Sequence, residues 1–142
     1  MKKIWINGCF DILHRGHVEL FKFAKDKGDY LIVGIDSDSR VKDLKGESRP
    51  INNQEDRKFF LESIRFIDEV VIFSSEKELT EKIEMIKPDT MIVGSDYKNK
   101  RVIGSENAKK LVFFDRIGDY STTKILEKKW HMFLILMALS AL

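Results

Sequence analysis

Five short apolar segments constrain the fold of this chain more than any other feature of its sequence. They are Lys3–Ile6, Tyr30–Ile35, Glu69–Phe73, Thr90–Val93 and Lys110–Phe114. Each is nearly continuous rather than alternating, which is typical of strands buried on both faces of a parallel sheet. The segments between them are predicted to be helical, namely Gly16–Lys27, Asn53–Ile64, Lys77–Ile86, a short turn near Ser105–Lys109 and Thr122 onward. This alternation predicts an α/β, Rossmann-like, doubly wound parallel five-stranded sheet with helices on both faces.

Length, charge and cysteine content exclude several classes of protein. A chain of 142 residues is long enough for one domain with a core. A formal net charge of +2 is too small to indicate a nucleic-acid partner, and we expect none. Cys9 is the only cysteine, so an intramolecular disulfide is excluded. The single cysteine fits a reducing compartment, and no signal peptide precedes the first strand. Together these two features predict a cytoplasmic protein.

The C-terminal segment Trp130–Leu142 is almost wholly apolar, interrupted only by His131 and Ser140. It has about 13 residues, fewer than the roughly 18 that a membrane-spanning helix needs. Because an apolar helix must be buried, we expect it to pack on its own domain or across a homodimer interface. Membrane association and a tail without function are the alternatives. We therefore divide the chain into a domain over 1–129 and an apolar helical tail over 130–142.

The turn after the first strand is the first candidate site. It is the segment Gly8–His17, in which His14 and His17 stand where the first helix begins. A helix N-terminus favours anions, and histidines there add donors that can carry charge near neutral pH. Gly16 lets a ligand approach the backbone closely. The alternatives are a capping histidine beside a surface histidine, or a zinc site, for which further ligands such as Cys9 are poorly placed.

Two other segments are expected to reach the same place, because ligands of such sheets bind beyond the carboxyl ends of the strands. Ser121–Thr123 opens the last helix and is either a plain N-cap or a second N-terminus that holds phosphates. The loop Val41–Pro50 is basic and contains Gly and Pro. It either closes over anionic groups or is a solvated charged loop.

Three motifs resemble those of the cytidylyltransferase-like nucleotidyltransferases. Gly8–His17 resembles the signature G-x-F-D-x-x-H-x-G-H, and Ser121–Ile125 is similar to the S-T-T-K-I element. Ile64–Val70 resembles the R-x-x-D-E-V segment that leads into the third strand. The similarity runs in consistent order from about Lys3 to Lys128.

The resemblance implies that a sugar or polyol phosphate attacks the α-phosphorus of ATP or CTP and that pyrophosphate leaves. It implies Mg²⁺ bound through the phosphates and water, with no protein ligands to the metal. It places His14 and His17 at the reacting phosphates, with Lys45 as the mobile cation that completes the catalytic site. The nucleotide-binding residues that it implies are Cys9, Phe10, Asp11, Gly16, Lys42, Asp96, Arg116, Ser121, Thr122 and Thr123.

Two branches of the family compete. Leu44–Pro50, Gly94–Tyr97 and Ile103–Glu106 look most like the heptose 1-phosphate adenylyltransferase domain of ADP-heptose synthesis. Glycerol-3-phosphate cytidylyltransferase has an R-T-x-G-x-S-T-T element, whereas here the glycine that follows Arg116 is displaced to Gly118. The alternatives of another class are a nucleotide-binding module without turnover, and an interaction module whose tail recruits it to a membrane or partner.

Overall fold

The computed structural model describes residues 1–141 and contains one parallel sheet of five strands in the order β3-β2-β1-β4-β5. The strands are β1 (Lys3–Gly8), β2 (Tyr30–Asp36), β3 (Glu69–Phe73), β4 (Thr90–Gly94) and β5 (Lys110–Phe114). The helices are α1 (Arg15–Lys25), α2 (Asp38–Lys45), α3 (Gln54–Glu62), α4 (Glu76–Ile86) and α5 (Thr122–Ser140). The predicted fold class is therefore confirmed.

The sheet is covered on both faces. Ile4 and Ile6 of β1 belong to one apolar cluster together with Phe21 of α1 and Leu61 of α3. Trp5, between them in the sequence, belongs to the cluster on the opposite face, which includes residues of α4. Because successive side chains of a strand point to opposite faces, the continuous apolar segment supplies both layers of the core.

The order of the strands reverses next to β1, and this reversal positions the site. β1 pairs with β2 on one side and with β4 on the other. The chain thus moves outward from β1 to β3 and then returns to the opposite side of β1. A crevice opens at such a switch point, beyond the carboxyl ends of β1 and β4.

One helix was not predicted. The sequence predicted an irregular loop over Val41–Pro50, but α2 extends to Lys45. Ser37 caps it by accepting a hydrogen bond from the N–H of Arg40 at 3.3 Å, and Gly46 ends it with a φ of 97°. Val41 is its only buried residue, so its eight residues show little apolar periodicity.

The last helix, α5, does not pack into the core of the domain. No side chain of α5 is buried, and its large apolar residues from Trp130 to Leu139 are 52–66% exposed. Packing of the tail on its own domain, one of the two expectations, is therefore not what the structure shows. No helix in the described part of the chain is long and apolar enough to cross a membrane. Leu142, the last residue of the predicted tail, lies outside the described residues.

Candidate active site

A cavity of about 380 Å³ lies beyond the carboxyl ends of β1 and β4. The structure brings twelve of the thirteen predicted site residues to its wall, which are Cys9, Phe10, Asp11, His14, Gly16, His17, Lys45, Asp96, Arg116, Ser121, Thr122 and Thr123. The exception is Lys42, which is exposed and does not line the cavity. It lies one helical turn before Lys45, and only Lys45, the last residue of α2, reaches the cavity.

The floor of the cavity is the turn between β1 and α1. Phe10 adopts a left-handed backbone conformation with a φ of 50°, which is costly for a residue other than glycine. Its ring packs edge-on against His17 at 5.3 Å and against Phe21 at 5.2 Å, and this packing holds the strained turn. Gly8 is needed beneath it, since a Cβ at that position would lie 3.1 Å from the Phe10 ring.

His14 and His17 form a stacked pair, with ring centroids 3.7 Å apart. The backbone N–H of His14 donates to Nδ1 of His17 at 3.3 Å. Nδ1 of neutral His17 is therefore the acceptor, and Nε2 has the proton that can be donated to a ligand. Nδ1 of His14 is buried without a hydrogen-bond partner among the described residues. Tyr120 lies parallel to the His14 ring at 6.1 Å.

Both histidines are shifted toward the neutral form. Burial, and then the charges of His14, Lys45 and Arg116, lower the pKa of His17 to about 4. Burial and the charge of Arg116 lower the pKa of His14. The pair is thus neutral at pH 7 in the absence of an anion. The negative charge of an anion bound beside the pair would favour the protonated form, so the site is suited to take up a proton together with an anionic ligand.

Asp11 lines the cavity, but its carboxylate is turned to the protein. It is 3% exposed and accepts hydrogen bonds from the backbone N–H groups of Ile51 and Asn52, both at 2.8 Å. The Nε of Arg49 donates to it at 3.3 Å. Asp11 therefore ties the segment after α2 to the first turn.

The N-terminus of α5 forms the opposite wall. The hydroxyl of Thr122 donates to the carbonyl of Ile12 at 2.8 Å, which fastens this end of α5 to the first turn. The Ser121 hydroxyl caps the helix by accepting from the N–H of Lys124 at 3.5 Å. The predicted cap is therefore present, and the same geometry leaves the first N–H groups of the helix beside the cavity.

Arg116 and Asp96 face each other across this wall at 3.8 Å. Their side chains are 72% and 49% exposed, so the pair adds little to stability. Both groups can instead rearrange around a ligand.

Two arginines near the site were not among the predicted site residues. Arg49 lines the cavity, and the sequence predicted only that it, like Lys42 and Lys45 of the same loop, either closes over anionic groups or is solvated. Arg57 is 1% exposed and donates to the carbonyls of Cys9, at 3.0 Å, and Asp36, at 2.7 Å. It joins the carboxyl ends of β1 and β2 beneath the cavity. The sequence left two alternatives open for Arg57, an inward-pointing side chain or a pair with its Glu and Asp neighbours, and the structure shows the first.

The wall offers hydrogen-bond donors from its two helix N-termini and its basic side chains. Within residues 1–141 there is no group of three or more His, Cys, Asp or Glu side chains placed to hold a metal ion. The one buried carboxylate on the wall, Asp11, is already occupied by its backbone donors. Such a wall fits Mg²⁺ that is coordinated by the oxygens of a triphosphate and by water.

Comparison with known proteins extends the similarity over nearly the whole chain. A family model described as cytidylyltransferase-like matches residues 5–134. The bifunctional protein HldE of a Nitratiruptor species is 49% identical over 125 residues, which are 88% of this chain and 27% of that protein. The bifunctional protein HldE of Helicobacter pylori is 46% identical over 127 residues, or 89% of this chain and 27% of that protein.

A solved structure is similar to this chain in fold. The crystal structure of the lipopolysaccharide core biosynthesis protein from Thermoplasma volcanium superimposes with a TM-score of 0.64 at 26% sequence identity. The superposition covers 85% of this chain and 99% of that one. By contrast, this chain spans about a quarter of the length of the HldE relatives that it matches.

Proposed function

The chain belongs to the cytidylyltransferase-like family of nucleotidyltransferases, and we propose that it transfers the AMP group of ATP to heptose 1-phosphate. The observation that supports this proposal most is the cavity, in which two helix N-termini and a histidine pair surround one space. The acceptor is proposed from the motif Leu44–Pro50 together with the HldE relatives and the lipopolysaccharide-related structure. Glycerol-3-phosphate cytidylyltransferase activity is the second candidate, because the phosphate motifs are shared.

The proposed reaction needs no general base. A phosphate monoester has a second pKa near 6 and is largely a dianion at neutral pH. One of its oxygens attacks the α-phosphorus of the triphosphate and forms a new P–O bond. The bond from the α-phosphorus to the α–β bridging oxygen breaks, and its electron pair leaves with pyrophosphate. The work of the protein is to position the two substrates and to stabilise the moving charge.

The geometry supports a role for each wall in this work. We propose that the N–H groups of Cys9 and Phe10, together with His14 and His17, contact the phosphates around the reacting phosphorus, and their position on the cavity wall supports this. We propose that the N-terminus of α5 at Ser121–Thr123 holds the distal phosphates, since it lines the same cavity. Mg²⁺, when bound with the triphosphate, neutralises part of its charge.

Pyrophosphate release tests the proposal. We would measure it with ATP or CTP against heptose 1-phosphate or glycerol 3-phosphate, with and without Mg²⁺. We expect release only with ATP, heptose 1-phosphate and Mg²⁺. Release only with CTP and glycerol 3-phosphate would replace the proposed branch by the second candidate. No release with any pair, together with nucleotide binding, would indicate the module without turnover.

Lys45 is the proposed mobile cation, and Lys42 gives it a matched control on the same helix. Lys45→Ala is expected to lower kcat about 10- to 100-fold, because it removes the positive charge that stabilises the negative charge developing on the phosphates. An exposed lysine contributes little to folding, so Tm should not change. Lys42→Ala, outside the cavity, should keep the rate of the wild type. Equal losses in both variants would contradict the assignment of Lys45.

The tail supports two further proposals. The nucleotidyltransferase domain ends at residue 129, and the chain forms a homodimer in which a second copy covers the apolar residues of 130–142. An exposed apolar helix of this kind calls for a partner surface. Sedimentation velocity of the full chain and of a chain ending at residue 129 tests it. A full-length monomer would contradict the proposal, and vesicle binding by the full chain alone would indicate membrane recruitment. Since ATP and sugar phosphates are cytoplasmic substrates, we place the reaction in the cytoplasm.

A further inference from the structure

The cavity has cations at two opposite ends. Arg116 lies at one end, in the loop that leads from β5 to the N-terminus of α5. Lys45, the last residue of α2, and Arg49, in the segment between α2 and α3, lie at the other. The histidine pair lies between them, since it follows β1, which stands between β2 and the pair β4 and β5 in the sheet.

Arg49 is held in place before any ligand arrives. Its Nε donates to the buried carboxylate of Asp11 at 3.3 Å, and its side chain is 13% exposed. Asp11 is fixed in turn by the N–H groups of Ile51 and Asn52. Neither terminal nitrogen of Arg49 makes a hydrogen bond to another described residue, and the side chain lines the cavity. The free edge of the guanidinium is thus available to a ligand in the cavity.

The chemistry of this group indicates its ligand. A guanidinium presents two parallel N–H donors that match two oxygens of a phosphate, and a fixed guanidinium loses little entropy on binding. We infer that Arg49, oriented by Asp11, binds the phosphate group of the acceptor substrate. This inference rests on the proposed function.

The direction of the reaction places the acceptor at this end. The attacking and leaving oxygens of a phosphoryl group in transfer lie roughly in line, on opposite sides of the phosphorus. The N-terminus of α5 and Arg116 are suited to the leaving pyrophosphate. The acceptor must then approach from the other end, where Arg49 and Lys45 stand. Arg49 would fix the monoester while one of its oxygens faces the α-phosphorus.

Calorimetric binding separates the two ends of the cavity. We would titrate heptose 1-phosphate into the full chain saturated with the α,β-methylene analogue of ATP, and the analogue into the chain alone. For Arg49→Ala we expect the Kd of the sugar phosphate to rise about 10- to 100-fold, as for the loss of a charge-assisted pair. The Kd of the analogue should change by less than about threefold, because its phosphates lie at the other end.

Two further variants serve as controls. Arg49→Lys keeps the charge but not the planar pair of donors, so only part of the affinity should return. Arg101→Ala removes an exposed arginine outside the cavity and should bind both ligands like the wild type. Circular dichroism of each variant checks its fold.

The outcomes distinguish this inference from the proposed function. Unchanged sugar-phosphate affinity in Arg49→Ala, or equal loss for both ligands, overturns the inference while wild-type pyrophosphate release still upholds the function. A wild type that does not bind the sugar phosphate overturns the inference as well. Arg49-dependent binding without pyrophosphate release supports the inference and overturns the proposed activity.

Discussion

Two helix N-termini face the same cavity, and they are built in opposite ways. The start of α1 rests on buried residues, because Phe10 is packed on Phe21 and Asp11 is 3% exposed. The start of α5 is joined to the body of the protein through the hydroxyl of Thr122, and the helix buries no side chain. The first is fixed by the core, whereas within residues 1–141 the second is fastened to the first turn by one side-chain hydrogen bond.

The difference separates two tasks. A rigid terminus holds its donors where charge develops and avoids the cost of ordering them during the reaction. A loosely fastened terminus can adjust as a triphosphate enters and pyrophosphate leaves. We therefore expect substitutions in the first terminus to affect kcat, and substitutions in the second to affect nucleotide binding.

The largest effect is expected for His17→Ala. The substitution removes a fixed donor from the rigid terminus, and losses of this type lower kcat about 10²- to 10³-fold. The KM for ATP should change much less. Steady-state kinetics with pyrophosphate detection measures both. An unchanged kcat would remove His17 from the mechanism, and a rise in KM alone would erase the distinction between the two termini.

A smaller effect on rate is expected for Gly16→Ala. An added Cβ would lie 3.0 Å from Cε1 and Nδ1 of His14 and 3.2 Å from Cβ of Tyr120. The His14 ring must move, and small displacements of a reacting group cost about 10- to 100-fold in rate. Alanine is also the better helix former by up to about 1 kcal/mol, so Tm should not fall. Arg15→Ala, at the neighbouring position, should leave the rate intact.

The half-buried His17 of the first terminus also makes the stability of the folded chain depend on pH. The pKa of His17 is about 4 in the folded chain, against 6.5 for the unperturbed side chain. Between these values the unfolded chain binds more protons than the folded chain. The contribution of neutral His17 to the free energy of unfolding is therefore fully present above pH 6.5 and is lost as the pH falls toward 4. At about 1.4 kcal/mol per pKa unit, reduced for partial exposure, the loss is about 2 kcal/mol.

His17→Asn isolates this contribution, because asparagine does not titrate and keeps an oxygen for the N–H of His14. Urea unfolding of both proteins at pH 4.5 and 7.5 gives the difference. Stability of the wild type that falls no more than that of the variant would show that folding does not lower the pKa of His17.

The same contrast explains what could be predicted from the sequence. The sheet, its helices and the residues of the first turn followed from continuous apolar segments and one local motif, because short-range patterns determine them. The buried role of Arg57 and the fixed orientation of Arg49 depend on partners such as Cys9, Asp36 and Asp11, which are 21 to 48 positions away in sequence. No local pattern reports such contacts. For a similar reason α2, with one buried residue, was taken for a loop.

The smallest effect is expected at the second terminus, for Thr122→Val. The substitution keeps the shape of the side chain but removes the hydroxyl that bonds to the carbonyl of Ile12 at 2.8 Å. A hydrogen bond of this kind is worth about 1 kcal/mol, so the KM for ATP should rise about fivefold. Because the first terminus is untouched, kcat should stay within about twofold of the wild type. Thr122→Ser restores the donor and should restore KM. A fall in kcat equal to the rise in KM would mean that α5 acts on the transition state as directly as α1 does.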